Sequence, residues 1–347
     1  MANKSLFQTI AGKLAPKTDA LNHEGGRAYA FTPKHALAQY AATGCLNNTF
    51  YAGADEQLAK VLELAGQVDP AFVAKTAVFC REQGFMKDMP AVLVAALSVL
   101  DADLMVKAFP RVVDNGKMLR NFVQVLRSGQ VARKSLGTRP KRLVREWLAA
   151  RTDEQLLRDS VGNAPSLADI VKMVHPKPGS PSRQAFYGWL LGKGHDASAL
   201  PELVRAFEDY KAGRTKDVPD VPFQLLTALE LGREQWTAIA KKAPWQMTRM
   251  NLNTFARHGV FQDQKMVRVV AERLRDAGLV KKAKVFPYQL LSAYTASGND
   301  VPQEIREALH DAMELAIANV PEVSGKVYVC PDVSGSMHSP VTGHRAG

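Results

Sequence analysis

The sequence predicts an all-α protein built of helical repeats, and three observations support that prediction. Apolar side chains recur at three- and four-residue spacing through most of the 347 residues, as in Leu58, Val61, Leu62 and Ala65. Several of these stretches carry helix start and stop signals. No stretch before Lys326 alternates convincingly as a strand. A long series of helices without a sheet favours a HEAT-like α-solenoid over a compact bundle.

The start and stop signals place individual helices. Asp69-Pro70 begins a helix that Gly84 ends, and Pro90 opens the very apolar stretch that follows. Thr152 opens a capping box ahead of another helix. Further helices are predicted over 55–66, 116–128, 140–151, 166–174, 182–192, 199–212, 222–232, 245–258, 263–277, 287–297 and 302–319.

Composition indicates a globular protein of a reducing compartment. Apolar residues make up 46% and charged residues 23% of the chain, the profile of a soluble domain. The longest apolar stretch, 91–100, is too short to cross a bilayer, so we expect no membrane association. Cys45, Cys80 and Cys330 lie far apart without a CxxC pair. Such cysteines favour a cytoplasmic location.

The net charge of +11 is concentrated in two zones. Residues 111–151 hold eleven Lys/Arg against two acids, and residues 241–284 hold eleven against three. These excesses of 9 and 8 leave the rest of the chain with a net charge of −6. Two basic zones in an otherwise acidic protein point to a polyanionic partner.

The last part of the sequence changes character. Residues 326–330 (KVYVC) form a β-branched and aromatic run that predicts one short strand. Directly after it, Asp332, Ser334 and Ser336 follow the spacing DxSxS. A carboxylate and two hydroxyls are hard oxygen ligands that suit Mg²⁺. The alternative is an ordinary serine- and glycine-rich turn.

This loop resembles the metal-ion-dependent adhesion site of von Willebrand factor A domains. In that family, residues on later loops complete the site, and the sequence ends before them, so we expect an incomplete Mg²⁺ site and a truncated A domain. A DxSxS loop after a long helical series resembles the TROVE-domain proteins, the family of Ro ribonucleoproteins and their bacterial relatives. Four further stretches of this sequence resemble that family, in order from residue 28 to 337: Phe31–Leu37 with Gly44 and Thr49–Tyr51, Val174–Pro178, Met250–Asn253 with Gly259-Val260, and Lys281–Pro287.

The resemblance implies an architecture and a role. It implies an N-terminal arm over 1–27, a TROVE domain over 28–322 whose HEAT-like repeats close into a ring, and the start of an A domain over 323–347. It further implies a monomeric ring that binds Y-like noncoding RNA on an outer basic face. Single-stranded 3′ ends of misfolded RNA would enter a central cavity, and an exoribonuclease would act with the protein in RNA quality control or processing.

Candidate RNA contacts begin in the first basic zone. Arginine and lysine bind phosphates, although a charge run is also typical of a merely solvated face. The candidates at one loop-to-helix junction are Arg133, Lys134, Arg139, Lys141, Arg142 and Arg145.

The resemblance adds further residues to this set. His175 matches a histidine that the family uses against Y RNA, and Lys172 and Lys177 lie beside it in the sequence. The alternative for His175 is a histidine that ends the helix over 166–174. Arg158 matches a basic contact of the family, whereas Gly162 falls where the vertebrate protein has another.

The second zone supplies candidates for single-stranded RNA in the ring interior. They are Arg249, Asn251, Asn253, Arg257 and His258, near Lys265 and Arg268. Trp245 and Phe255 offer stacking surfaces, but aromatics at helical spacing favour a core position.

Nothing in the sequence points to catalysis. It has no P-loop, GxSxG or HExxH motif and no coherent cluster of acids, so we expect no catalytic residues and no enzymatic activity of the chain's own. A processing enzyme would need the missing acid cluster. The main alternative is an α-solenoid scaffold that binds acidic proteins without specific RNA binding.

Overall fold

A computed structural model describes residues 19–22, 25–44, 46, 53–133, 135–322, 324–333 and 335. Apart from one two-stranded ladder, every regular element in these residues is helical. The prediction of an all-α body is therefore confirmed. No helix in the described part of the chain combines the length and apolar character that crossing a membrane requires.

The helices follow one another with short connectors. In chain order they are α1 Pro33–Thr43, α2 Ala54–Gly66, α3 Pro70–Glu82, α4 Asp88–Leu100, α5 Ala102–Val112, α6 Gly116–Arg127, α7 Thr138–Ala150, α8 Asp153–Asp159, α9 Leu167–Val174, α10 Pro181–Leu190, α11 Glu202–Lys211, α12 Phe223–Leu226, α13 Arg233–Lys242, α14 Trp245–Met250, α15 Leu252–Arg257, α16 Gln264–Leu274, α17 Ala277–Ala283, α18 Pro287–Thr295 and α19 Gln303–Leu315. Short 3₁₀ turns cover Ala197–Ala199, Val260–Gln262 and Ala316–Asn319.

The contacts between residues divide the chain into two compact units. The first contains the described residues up to Ala150 together with Gly162–Pro176. The second contains Arg151–Val161 and Lys177–Asp332. Helices α1 to α7 and α9 thus lie in the first unit, and α8 and α10 to α19 lie in the second.

The first unit is organised around α4. This helix is apolar on all sides and packs against α3, α5 and α6, so nearly all of its side chains are buried. Phe109 and Phe122 meet edge to face beside it, with ring centroids 5.0 Å apart. The indole of Trp147 on α7 donates a 2.7 Å hydrogen bond to the carbonyl of Val113, so its buried N–H has a partner.

The second unit has its own core between α16 and α19. Val270 and Leu274 of α16 pack with Ile305 and Leu309 of α19 in one buried cluster. Trp245 belongs to this cluster, and its indole N–H donates to the carbonyl of Leu274 at 3.1 Å. Phe255 is also fully buried, so the preference for core positions over stacking surfaces is confirmed for both aromatics.

Two predicted helices are shorter than expected. The helix predicted over 222–232 is limited to Phe223–Leu226, and the extended residue Gly232 is the N-cap of α13. The helix predicted over 245–258 is interrupted at Asn251. Its side-chain amide donates to the carbonyl of Met247 at 2.8 Å and competes with the backbone for that acceptor.

One short ladder was not expected from the sequence. Strand β1, Ala20–Leu21, pairs antiparallel with β2, Arg27–Ala28. The connecting turn is held by the side chain of Asn22, which accepts a hydrogen bond from the N–H of Gly26 at 2.7 Å. Two residues per strand are too few to leave an alternating pattern in the sequence.

The C-terminal strand prediction is wrong for the described residues. Residues 326–330 form no regular element, and every one of them is exposed. The physical reason is the absence of a neighbouring strand in this part of the structure, since a single strand leaves its backbone groups without partners.

Candidate nucleic-acid interface

The basic run at the start of α7 divides into residues with different partners. The guanidinium of Arg133 is half-buried and donates to the carbonyls of Ser98 and Leu136, both at 2.9 Å. Arg139 forms an ion pair with Asp103 at 2.8 Å. Arg142 lies 3.6 Å from Glu146, one turn along the helix. Lys134 lies outside the described residues.

Arg145 connects α7 to the end of α9. Its Nε donates to the carbonyl of Val174, the last residue of α9, while the side chain remains exposed. A cation at this position also suits the negative end of the helix dipole. Lys141 lies one turn earlier on the same face of α7 and is half-buried.

Helix α9 presents the predicted histidine at its C-terminus. His175 has the left-handed conformation (φ 48°), and its backbone N–H donates to the carbonyl of Val171 at 3.0 Å. Its backbone thus ends the helix, as one alternative predicted, while its side chain is exposed, as an RNA contact requires. Lys172 and Lys177 are also exposed.

A further cation, Arg127, lies near Asp169 at the start of α9. Hydrogen bonds from the side chain and backbone of Ser166, together with the charges of Lys172 and Arg127, hold the pKa of the Asp169 carboxyl below its usual range. Arg127 is exposed in the last turn of α6. Arg127 is not among the contacts predicted from the sequence, although it lies within the first basic zone. We call Arg127, Arg145, Lys172 and His175 together the α9 surface.

Gly162 is covered by another arginine of the first unit. A Cβ at residue 162 would lie 2.7 Å from Nη2 of Arg120. The backbone there has φ +122°, which strongly favours glycine. The space above Gly162 is therefore occupied by a guanidinium from α6.

The candidate Arg158, in the second unit, is held by two carboxylates. It contacts Glu154 at 3.1 Å and Asp220 at 3.0 Å. Partial burial disfavours its charge, but the hydrogen bonds to these two acids outweigh that effect and raise the pKa of Arg158. The two acids thus offset its positive charge locally.

Arg249 and Asn253 form hydrogen bonds within the second unit. Arg249 donates to the carbonyl of Gln289 at 2.9 Å, and burial lowers the pKa of its guanidinium. The amide of Asn253 donates to the carbonyl of Ala296 at 2.8 Å and accepts from the N–H of Gly298 at 2.9 Å. Both side chains therefore connect α14 and α15 to α18 and the loop after it.

The other candidates in the second zone differ in their exposure. His258 is half-buried and stacks on Trp236, with ring centroids 4.2 Å apart and planes 11° apart. Arg257, Lys265 and Arg268 are exposed. The structure thus separates the accessible cations of this zone from those that hold the helices together.

The predicted metal loop is described only in part. Asp332 is exposed, whereas Ser334 and Ser336 lie outside the described residues. Within the described ranges, no group of three or more His, Cys, Asp or Glu side chains is arranged to hold a metal ion. Of the proposed donors, only the carboxylate of Asp332 therefore lies within the described residues.

The fold and the exposed cations of the α9 surface define a helical protein with a candidate anion-binding surface, and comparisons with known proteins show which proteins it resembles. The chain is 24% identical over 375 aligned residues to the RNA-binding protein RO60 of Deinococcus radiodurans, covering 96% of this chain and 70% of that protein. It shares the fold of the crystal structure of the Ro (RSR) protein of Deinococcus radiodurans, with a TM-score of 0.59 and 20% identity over 84% of this chain.

These similarities support the resemblance to the Ro proteins drawn from the motifs. The chain spans 65% of the length of the solved Ro chain. No protein-family model matches the sequence.

Proposed function

We propose that this chain is a non-catalytic RNA-binding protein that contacts RNA through the α9 surface. The observation that carries the proposal is the convergence of exposed cations from α6, α7 and α9. Within the described residues, no ion pair to a carboxylate engages Arg145, Lys172 or His175. Exposed cations of this kind bind phosphates, and an imidazole can stack on a base or donate to a phosphate. The RNA-binding relative supports the same conclusion.

The finer role follows from the resemblance to the Ro proteins. We propose a Y-like noncoding RNA as the ligand of the α9 surface, and single-stranded ends of misfolded RNA as ligands of a central cavity formed by a monomeric ring. RNA quality control or processing would then involve an exoribonuclease as partner. In this proposal the protein binds and presents RNA, and the nuclease performs the chemistry.

The contacts revise the set of RNA-binding residues. Arg133, Arg158, Arg249 and Asn253 are withdrawn, because their polar groups are engaged by backbone or carboxylate partners. Arg145 is kept because its Nε forms the bond to Val174 while its side chain remains exposed. Lys141, Lys177, Arg257 and His258 are retained as secondary contacts. To contact RNA, Arg139 and Arg142 would have to leave their ion pairs with Asp103 and Glu146 and bind a phosphate instead.

A Mg²⁺ ion at the DxSxS loop remains part of the proposal. Asp332 would supply the carboxylate, with Ser334 and Ser336 as the hydroxyl donors. Such a hard-oxygen set would bind Mg²⁺ together with water and with further oxygen ligands.

The test removes charge from the α9 surface without altering the fold. The double variant Arg127→Gln/Lys172→Gln should weaken binding to a structured noncoding RNA by about tenfold or more in a filter-binding assay, because two phosphate contacts are lost. The matched control, Lys75→Gln/Lys107→Gln, removes two exposed charges from α3 and α5 of the same unit. It should change the affinity much less.

Equal weakening by both double variants would sink the proposal for the α9 surface. Polyglutamate distinguishes the alternative function. A scaffold for acidic proteins would bind polyglutamate as tightly as RNA at equal charge, whereas an RNA-binding protein would prefer RNA.

A further inference from the structure

An exposed aromatic side chain follows a lysine cluster of the second unit in the sequence. Tyr288, in the first turn of α18, is 65% exposed. The ring of Phe286 lies nearly parallel to it, with centroids 6.3 Å apart and planes 13° apart. A tyrosine so accessible leaves most of its ring surface open to a ligand.

Three lysines precede this pair in the sequence. Lys281 and Lys282 belong to the last turn of α17, and Lys284 ends that helix in the left-handed conformation. All three are exposed. Within the described residues, neither Lys281 nor Lys282 takes part in an ion pair with a carboxylate. Their ammonium groups are therefore available to an anionic ligand.

The aromatic pair is held by the surrounding backbone. Pro287 begins α18, and the side chain of Gln289 accepts a hydrogen bond from the N–H of Phe286 at 3.0 Å. The carbonyl of Gln289 in turn accepts from Arg249 at 2.9 Å. On the other side, the side chain of Asn319 donates to the carbonyl of Val285 at 2.8 Å. These bonds fix the backbone on which Phe286 and Tyr288 stand.

We infer that Tyr288 is a stacking platform for an unpaired base of single-stranded RNA. Phe286 supports one side of the tyrosine ring, and Lys281 and Lys282 bind the neighbouring phosphates. Aromatic faces accept any base, and lysines follow the backbone, so the site recognises single strands with little sequence preference. A duplex, whose bases are already stacked on one another, has no free base face to offer. This inference deepens the proposed binding of single-stranded ends and rests on it.

The test uses the full chain and a fluorescein-labelled oligo(A) of ten nucleotides, measured by fluorescence anisotropy. Tyr288→Ala should weaken the binding of oligo(A) by about tenfold or more, whereas Tyr288→Phe, which keeps the ring, should bind within about twofold of the parent protein. Leu291→Ala is the matched control, because Leu291 lies one turn along α18 and is 49% exposed but has no aromatic ring. It should leave the affinity unchanged.

Lys281→Gln/Lys282→Gln should reduce the slope of log affinity against log salt by about 1.4, the value for two phosphates of a single strand. Unchanged oligo(A) binding by Tyr288→Ala would overturn the inference, as would an equal loss in Leu291→Ala or Tyr288→Phe. Displacement of oligo(A) by polyglutamate at equal charge would also overturn it, because charge alone would then explain binding. Failure of the parent protein to bind oligo(A) while it binds structured RNA would remove only this inference. Failure to bind either RNA would remove the proposed function as well.

Discussion

Arginines of this protein have different roles according to their neighbours. Arg133 connects the loop before α7 to α4 by donating to the carbonyls of Leu136 and Ser98, and Arg158 is held between two carboxylates. Arg257 is exposed. Guanidinium groups with several fixed donors suit all of these roles. Residue type alone therefore indicates a polyanion-binding zone without identifying which member of that zone meets the ligand.

His175 permits a substitution that separates stability from binding. Its left-handed backbone is the conformation that glycine adopts without steric cost. We expect His175→Gly to keep or raise the melting temperature, while the affinity for a structured RNA falls because the imidazole is lost. Thermal denaturation and filter binding of the same preparations measure both effects. A variant that binds RNA as tightly as the parent would remove His175 from the α9 surface.

Helix α9 shows how a short element can present several functional groups. Its first turn is closed by a capping box, in which Ser166 accepts from the N–H of Asp169 at 3.1 Å and Asp169 accepts from the N–H of Ser166 at 3.0 Å. Its end is fixed by the left-handed His175 and by Arg145, which donates to the carbonyl of Val174. An eight-residue helix would be marginal alone, so these end contacts and its packing against α6 and α7 hold it in place.

The capping box can be tested by one substitution. Ser166→Ala should lower the free energy of unfolding by about 1 kcal/mol at neutral pH, the usual contribution of a side-chain N-cap. Urea denaturation monitored by circular dichroism measures this loss. Arg127 and the other exposed groups of the surface are unchanged by the substitution, so RNA affinity should fall less than in Arg127→Gln/Lys172→Gln.

The capping box of α9 also makes the stability of the protein depend on pH. The pKa of Asp169 is lowered in the folded state, so its stabilising contribution is fully present above the unfolded value of about 3.9 and is lost as the pH falls through the folded value. The difference in stability between the parent protein and Ser166→Ala should therefore shrink in acid. A difference that grows as the pH falls below about 4 would contradict this account of the cap.

At the scale of the whole molecule, charge distribution matters more than net charge. The two basic zones lie in an otherwise acidic chain, so a polyanion would be attracted to particular surfaces rather than to the protein as a whole. Within those zones, ion pairs such as Arg139 with Asp103 reduce the local positive potential. The cations of the α9 surface maintain a positive potential around them.

Salt dependence tests this distribution. The logarithm of the parent protein's affinity for a structured RNA should fall linearly with the logarithm of the salt concentration, because binding releases counterions. Arg127→Gln/Lys172→Gln should lower that slope by about 1.8, corresponding to two phosphate contacts on a duplex. Arg139→Gln/Arg142→Gln removes the same charge from residues that already have carboxylate partners, and should lower the slope less. A larger decrease in slope for Arg139→Gln/Arg142→Gln than for Arg127→Gln/Lys172→Gln would assign the RNA contact to α7 instead.

Much of the fold could be predicted from the sequence because helix signals are local. The N-cap of Asp69, the capping box at Thr152 and the buried α4 were all expected, and each is found. The unexpected features depend on individual side-chain hydrogen bonds. Asn251 interrupts a helix through its own amide, and Asn22 closes a turn between two very short strands. Neither bond leaves a periodic pattern in the sequence.

The sequence by itself determined the helical class, the two basic zones and the ordered motifs that resemble those of the Ro proteins. Only the tertiary structure decided which cations face solvent and which are engaged, because that depends on residues distant in the chain. Asp220 forms an ion pair with Arg158. The carbonyls of Ser98 and Val174 accept hydrogen bonds from Arg133 and Arg145, respectively. Hydrogen bonds and ion pairs act over a few ångströms in space. Sequence spacing describes such distances only within a helix, and folding sets them everywhere else.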